Sequence, residues 1–396
     1  MEVARPGTRA VLALAAAGVL FAPVSHGQQT GAGRGAPQQA VQPAELRQAD
    51  RDDGRHQAES DLQAAIAFTR RGEFQRAIPL FLAARGRIAE PFALEFNLAL
   101  CYVGTRQFPP AIRILSQLSG GQRTGDVKNL LAQALVGDRQ QEAALKTLRE
   151  AAEISPSNEK LYLLVSQACL DEGLYDLGLH VLDVGTRNLP DSPRLHFQRG
   201  LFYSQLDEAD LASREFQLAQ KLAPQSDIAY IAAAEQAFQS GQVQDVIRTA
   251  RQGIRAGYTH YLLLTMLGEA LLRAGATPAT PPEFREAQEV LEKAVVERPG
   301  YSSAHIALGR VYLAMDRVGD AVAQLESGRQ LDPRNRAVYP PLASAYRRAG
   351  QADRARDALA TLRELNRQEA ARIGSAEGGH AGYSGGRSGQ KEPPPH

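Results

Sequence analysis

Small residues recur along this chain at a nearly fixed step, and that recurrence limits its folding options more than any other feature. Ala65, Ala99, Ala132, Ser166, Gly200, Ala234, Gly268, Gly309 and Ala343 follow one another at steps of 34, 33, 34, 34, 34, 34, 41 and 34. Twelve positions after each stand Ala77, Ala111, Ala144, Gly178, Ala212, Val246, Ala321 and Ala355, except in the seventh copy, where Ala287 follows after nineteen. The eighth copy, "HIALGRVYLAMDRVGDAVAQLESGRQLDPRN" at 305–335, shows the unit in full. Leu308 and Tyr312 lie one turn apart on a helical face, Ala321, Leu325 and Gly328 share a face of a second helix, and "DRVGD" between them reads as a turn. Pro156, Pro190, Pro224, Pro299 and Pro333 close five copies, because proline cannot continue a helix without losing a hydrogen bond and clashing with the preceding turn. Each copy is a helical hairpin whose small residues let two axes approach closely. A hairpin of this size leaves an apolar face wet, and stacking on a neighbour removes that face from water.

The period, the small residues and the closing proline resemble the tetratricopeptide repeat (TPR) family. The residues that carry the likeness are "LALCY", "RGLFY", "LGRVY" and "LASAY" in first helices, with "LDPRN" and "LAPQS" at hairpin ends. The chain departs from the family in having no tryptophan, and the copies of Ala65, Ala99, Ala234 and Ala343 lack the closing proline. The resemblance spans residues 58–369 and implies an all-α fold, a right-handed α-solenoid of about nine tandem TPR hairpins. Its expected boundaries are 58–91, 92–124, 125–158, 159–192, 193–226, 227–260, 261–301, 302–335 and 336–369. The seventh copy carries its extra residues in "GATPATPPEF" between its two helices, and Pro340 with Pro341 requires the first helix of the last copy to begin there.

Both ends differ in composition from the array. Arg5 and Arg9, the uncharged stretch 10–25 and the small residues Ser25 and Gly27 have the layout of a secretory signal peptide over 1–27. That stretch is shorter than the roughly 20 residues needed to span a bilayer. The protein is therefore expected to be exported, periplasmic or secreted; it meets a membrane only if the segment is retained as an anchor. Residues 28–57 read as a low-complexity, disordered linker and 370–396 as a disordered Gly/Ser/Pro-rich tail, although "AELRQADRDDGRHQAESDL" from 44 has some helical character. Cys101 and Cys169 fall on first helices two copies apart, too far for a disulfide, and read as buried free thiols.

Composition argues against a nucleic-acid partner, since 45 basic residues balance 44 acidic ones. One local excess stands out: nine arginines against five acids between 331 and 372, which suits a solvated terminal helix. Searching for chemistry gives little. "GYSGG" at 382–386 fits a nucleophile-elbow pattern around Ser384 but lacks the strand and helix that would strain the serine. "GGQRTGDVK" has Asp126 where a phosphate-binding loop requires lysine. The eight histidines show no metal-ligand spacing; only His180 and His196 fall on adjacent helices. No cofactor and no metal are expected.

What remains is the array's surface. If first helices line a concave face, as the resemblance implies, the inward positions hold Phe96, Leu100 and Val103 in the second copy, Gln133 in the third, Leu163 and Gln167 in the fourth, and Phe197 and Leu201 in the fifth. They continue with Ile231, Glu235 and Phe238 in the sixth, Glu269 in the seventh and Arg310 in the eighth. A solvated face would be mostly charged, and this one is mainly apolar, which points to a protein or peptide partner, with Phe96, Leu100, Phe197, Leu201, Ile231 and Phe238 as its exposed anchors. The Lys, Asn and Arg clamp by which some family members grip acidic chaperone tails is missing, although Asn97 matches the family's common asparagine. The expected function is a non-catalytic interaction scaffold, serving assembly or secretion in a cell envelope. The alternatives are an RNA-binding helical repeat and a solenoid enzyme with unrecognised catalytic residues.

Overall fold

The computed structural model describes residues 43–89, 91–120, 124–275 and 277–380, and every regular element among them is a helix. They fall into two compact units, one up to Gln236 and one from Ala237 onward. The first unit holds five hairpins: α1 (Pro43–Arg70) with α2 (Phe74–Ala84), α3 (Phe92–Gly104) with α4 (Phe108–Leu118), α5 (Thr124–Gly137) with α6 (Gln141–Ile154), α7 (Glu159–Glu172) with α8 (Tyr175–Asn188), and α9 (Pro193–Gln205) with α10 (Ala209–Leu222). The division lies within α11 (Asp227–Gln239). The second unit continues with α12 (Val243–Arg255), the hairpin of α13 (Tyr261–Arg273) and α14 (Pro281–Glu297), and that of α15 (Ser302–Ala314) and α16 (Val318–Leu331). A 3₁₀ turn (Arg336–Val338) leads into α17 (Tyr339–Arg348) and α18 (Ala352–His380). Within each unit a first helix packs on its hairpin partner and on the next first helix: α1 on α3, α3 on α5, α5 on α7 and α7 on α9, and likewise α13 on α15 and α15 on α17.

The recurring small residues make these crossings possible. Ala65, Ala99, Ala132, Ser166, Ala234 and Ala343 are fully buried. At Gly309 an added Cβ would lie 2.5 Å from Leu325 Cγ, and at Gly200 it would lie 2.5 Å from the ring of Phe216. Leu325 and Phe216 each stand sixteen residues after their glycine, on the partner helix, so the missing side chain is the socket for a large one. Contacts between hairpins use the second set of small positions: a Cβ on Gly178 of α8 would meet the Phe202 ring of α9 at 2.0 Å.

Two further periodic devices were present in the sequence but not read from it. The first is the hairpin turn. Gly72, Arg106, Arg139, Gly173, Asp207, Gly241, Gly275, Asp316 and Gly350 each lie seven residues after the small residue, and all nine have positive φ. Glycine takes this left-handed conformation freely, whereas another L-residue gives up roughly 1–2 kcal/mol. Arg106 and Arg139 sit there at φ 61° and 62°. Both guanidiniums reach Glu172, a carboxylate only 4% exposed at the end of α7, Arg106 in direct contact and Arg139 at 3.8 Å.

The second device joins one hairpin to the next. Each closing proline leaves a carbonyl oxygen that has passed the end of its helix, and the residue six positions on is Tyr162, His196, Tyr230, His305 or Tyr339. Tyr162 Oη donates to the Pro156 carbonyl at 2.9 Å, His196 Nε2 to Pro190 at 2.9 Å, His305 Nε2 to Pro299 at 2.8 Å, and Tyr339 Oη to Pro333 at 2.5 Å. A side chain of the next first helix thus satisfies an acceptor that the preceding helix cannot. The other ring nitrogen differs between the two histidines: Nδ1 of His305 faces Gln324 Oε1 at 2.7 Å, and Nδ1 of His196 faces Glu215 Oε2 at 2.7 Å. With Nε2 committed as donor to a carbonyl, a carboxylate at Nδ1 favours the doubly protonated ring. The hydrogen bond to Glu215 accordingly raises the His196 pKa, against desolvation and the nearby Arg199. His180 is exposed and takes no part in this arrangement.

Several expectations need correction. Helix α1 begins at Pro43, inside the stretch read as a linker at 28–57, and α18 runs to His380, well into the stretch read as a tail from 370. Each extension continues a helix already nucleated by packing, which adds residues at little further cost; the first carries three Arg and two Gln, and the second three Ala despite its three glycines. The insertion in the seventh copy is divided: α14 is 17 residues long with prolines in its first turn, and Thr277 and Thr280 close a short turn ahead of it, Thr280 N donating to the Thr277 carbonyl at 2.8 Å. Prolines 340 and 341 do occupy the first turn of α17. Cys101 and Cys169 are buried free thiols. Burial pushes Cys101 up to about 11, with Thr69 Oγ1 3.2 Å from its sulfur, and raises Cys169 as well. No described helix is long and apolar enough to cross a membrane; the expected signal segment lies outside the described residues.

Two outcomes follow for stability. Asp207→Gly relieves a left-handed residue on an exposed turn and should stabilise the protein by up to about 1 kcal/mol in urea unfolding, while Arg106→Gly gives no gain because it strips a partner from buried Glu172. A folded-state pKa raised above its unfolded value of about 6.5 means that His196 contributes fully below that pH and loses its contribution as pH rises through the folded pKa. Glu215→Gln, which reproduces the His305–Gln324 pair, should flatten the fall in melting temperature expected as pH rises above about 6.5.

Candidate partner-binding face

The first-helix face of the first unit is built on α3, α5, α7 and α9, and its apolar side chains are not equally accessible. Phe96, Leu100 and Val103 on α3 are half-buried, as is Phe92, a residue not singled out from the sequence. The rings of Phe92 and Phe96, one turn apart, are stacked with centroids 5.9 Å apart and planes 12° apart, which presents a flat apolar surface. Their i, i+4 spacing was the available signal. Asn97 turns inward: it is buried, and its Nδ2 donates to the Ala93 carbonyl at 2.7 Å, so it does not present its amide on this face.

Farther along the same unit the expected exposure fails. Phe197, Leu201 and Ile231 are 4%, 5% and 2% exposed, and Leu163 is buried as well. The Phe197 ring rests against Phe216 at 5.7 Å. Close helix spacing, set by the small residues, lets these side chains fill the gap between neighbours and leaves no open apolar patch around Phe197. Polar positions pair within the protein. Gln133, half-buried, donates to Asn129 Oδ1 at 3.0 Å; buried Gln167 donates to Asp171 at 2.8 Å and accepts from Gln198 at 3.3 Å. Glu235 is half-buried.

In the second unit the corresponding face is charged. Phe238 is half-buried beneath the guanidinium of Arg273, which lies 4.2 Å from the ring centroid. Glu269, one turn before Arg273 on α13, keeps part of its surface accessible, yet its carboxyl lies deep among protein atoms. This desolvation raises its pKa, with Arg273 and Arg310 pulling the other way. Arg310 on α15 is exposed. The same unit has a cavity of about 150 Å³ lined by Arg251, Ile254, Arg255, Leu267, Glu286 and Val290, smaller than the roughly 300 Å³ of a typical small-molecule site. Arg251 and Glu286 close on each other there through two contacts of 2.9 and 2.5 Å.

Among the described residues no group of three or more His, Cys, Asp or Glu is placed to hold a metal ion. Ser384 lies outside the described residues, and Asp126 is in the first turn of α5, where its charge complements the helix N-terminus.

Solved structures similar to this chain include MamA, 20% identical over 43% of this chain and 96% of its own, with a TM-score of 0.34. Cut9–Hcn1 of the APC/C hetero-tetramer is 15% identical over 81% of this chain and 78% of its own, at 0.46. A tetratricopeptide repeat protein from Parabacteroides merdae is 13% identical over 73% and 99%, at 0.43. No curated protein gives a significant match. Residues 283–339, from the first turn of α14 to the start of α17, match the tetratricopeptide repeat family. The same small-residue and turn offsets run from α1 to α18, and along that length the described residues form tandem helical hairpins.

Proposed function

We propose that this chain is a non-catalytic scaffold, exported from the cytoplasm, that holds a protein or peptide segment on its first-helix face. The observation that carries the reading is the row of half-buried apolar side chains on α3: Phe92, Phe96, Leu100 and Val103 keep surface open to solvent. Stacked rings beside aliphatic side chains are the kind of surface on which a few anchors supply most of the binding energy. Export rests on the charge and length pattern of residues 1–27, and a role in envelope assembly or secretion follows from that location.

A photoreactive residue at Phe96 in the full chain should crosslink a partner in the native cell, and the same probe at exposed Gln217 on α10 should not. Adding Val103→Asp should abolish the crosslink with helical circular dichroism unchanged, because Val103 is only half-buried. A crosslink that survives Val103→Asp sinks the reading. Substituting Phe197 would be no test of binding, since a carboxylate at that buried position would disturb folding. N-terminal sequencing of the purified protein checks export: a start near residue 28 is expected, and an intact Met1 would contradict it.

A further inference from the structure

The joints between hairpins of the second unit are closed by a tyrosine ring, with one exception. Three positions after the small residue, α15 and α17 carry Tyr312 and Tyr346, both buried. Each hydroxyl donates to a glutamate on the preceding second helix, Tyr312 to Glu292 of α14 at 3.1 Å and Tyr346 to Glu326 of α16. Each ring also carries a guanidinium over it, Arg317 at 4.3 Å from the Tyr312 centroid and Arg354 at 4.2 Å from that of Tyr346. At the joint of α12 with α13 and α14 the tyrosine position is Leu271, and the glutamate position is Arg251. Leucine brings no ring, and this joint holds the cavity of about 150 Å³, with Ile254, Leu267 and Val290 as its apolar wall. Leu267 stands one turn before Leu271, as Leu308 and Leu342 stand one turn before the two tyrosines. The ion pair across the joint is reversed as well: Arg354 of α18 reaches Glu326 of α16 at 3.3 Å, whereas here Glu286 of α14 meets Arg251 of α12 at 2.5 Å. Arg255 completes the lining; it is exposed, and among the described residues no carboxylate lies within ion-pair distance of it.

We infer that this cavity is a site for a small aromatic carboxylate, its ring against Ile254, Leu267 and Val290 and its carboxylate held by Arg255 and by the Nη1 edge of Arg251. An apolar cavity of roughly 150 Å³ is large enough for one benzene ring and little more. Charge decides what the ring carries. Where tyrosine is built in, the group that receives its tip is a glutamate and the tip is a hydrogen-bond donor. With arginine in the glutamate's place the tip has to be an acceptor, and a carboxylate offers two oxygens to guanidinium nitrogens. Glu286 occupies Nε and Nη2 of Arg251 and offsets its charge, so Arg255 supplies the net attraction for an anion. A carboxylate without a ring would gain little, because pairing with an exposed arginine is weak in water; burial of the ring supplies most of the hold. The site is built largely on second helices, α12 and α14, and does not depend on the first-helix face.

Fluorine-19 NMR of 4-fluorobenzoate with the full chain tests the site. The probe should bind saturably, at about millimolar concentration for a ligand of about ten heavy atoms. Unlabelled benzoate should displace it, whereas acetate, which lacks the ring, and benzylamine, which reverses the charge, should not. Arg255→Ala, at an exposed position, should weaken binding at least fivefold with the melting temperature unchanged. Leu271→Tyr installs the ring that the next two joints carry and should abolish binding with helical circular dichroism retained; should that variant lose its helical signal, Val290→Leu narrows the cavity from α14 and should weaken binding in its place. A pentapeptide ending in phenylalanine should bind no more tightly than benzoate. The inference is overturned by tighter binding of that peptide, by displacement with acetate or benzylamine, by binding indifferent to Arg255→Ala or to filling of the cavity, or by the absence of saturable binding.

Discussion

Close approach of helices through matched small and large side chains is the constraint on which the rest of this structure depends. Leu325 against Gly309, Phe216 against Gly200 and Phe202 against Gly178 leave no room even for a methyl group. A single hairpin gains little from one such crossing, because its far side is still wet. The gain becomes cooperative only when the second set of small positions receives side chains of the next hairpin, as Gly178 receives Phe202. Close packing also fixes the polar arrangement. Carbonyls beyond helix ends become buried, and the chain answers with Tyr162, His196, His305 and Tyr339 at one offset from the closing proline.

How legible this was in the sequence depended on whether a feature is local. The hairpins, their small residues and their closing prolines could be read because each is a requirement on one position of a repeating unit. The left-handed turn residue and the donor six places after each proline were equally periodic and went unread; the first is masked by arginine and aspartate where glycine is usual, and the second by the exchange of tyrosine with histidine. The limits of α1 and α18 could not be read from composition, because charged helix formers look alike in a helix extended by packing and in a linker. Accessibility on the first-helix face was the least legible property. Phe96 and Phe197 occupy equivalent positions, yet one is half-buried and the other is 4% exposed, a difference set by neighbouring helices and not by the residue itself.

Equivalent joints in this chain are built with different chemistry, and that has consequences for how uniformly it holds together. The joint at Pro156 uses a tyrosine whose oxygen also accepts from Asn188 at 2.7 Å; that at Pro299 uses a histidine paired with an amide; that at Pro190 uses a histidine paired with a carboxylate. The carboxylate at the last makes that joint depend on a ring proton. In a repeat protein, stability is close to a sum of hairpin terms and nearest-neighbour terms, so a change at one joint acts on that joint before the whole. The His196 joint is accordingly where opening would start as pH rises.

The two faces lined by first helices show what the scaffold leaves free to vary. On α3 the variable positions are aromatic and aliphatic, and their cost in water is the ordinary one of exposed apolar surface. On α13 the choice is less economical. Leucine at the position of Glu269 would remove a desolvation penalty, and the chain demonstrates with Leu100 and Leu201 that the fold accepts it. A carboxylate kept where desolvation works against it, acted on by Arg273 and Arg310, departs from the aliphatic choice of Ile66, Leu100 and Leu201 at a position that elsewhere also holds Gln133, Gln167 and Glu235. Departures of this kind are where a repeat protein carries its specificity, because residues that serve only the stack are already fixed by the stack.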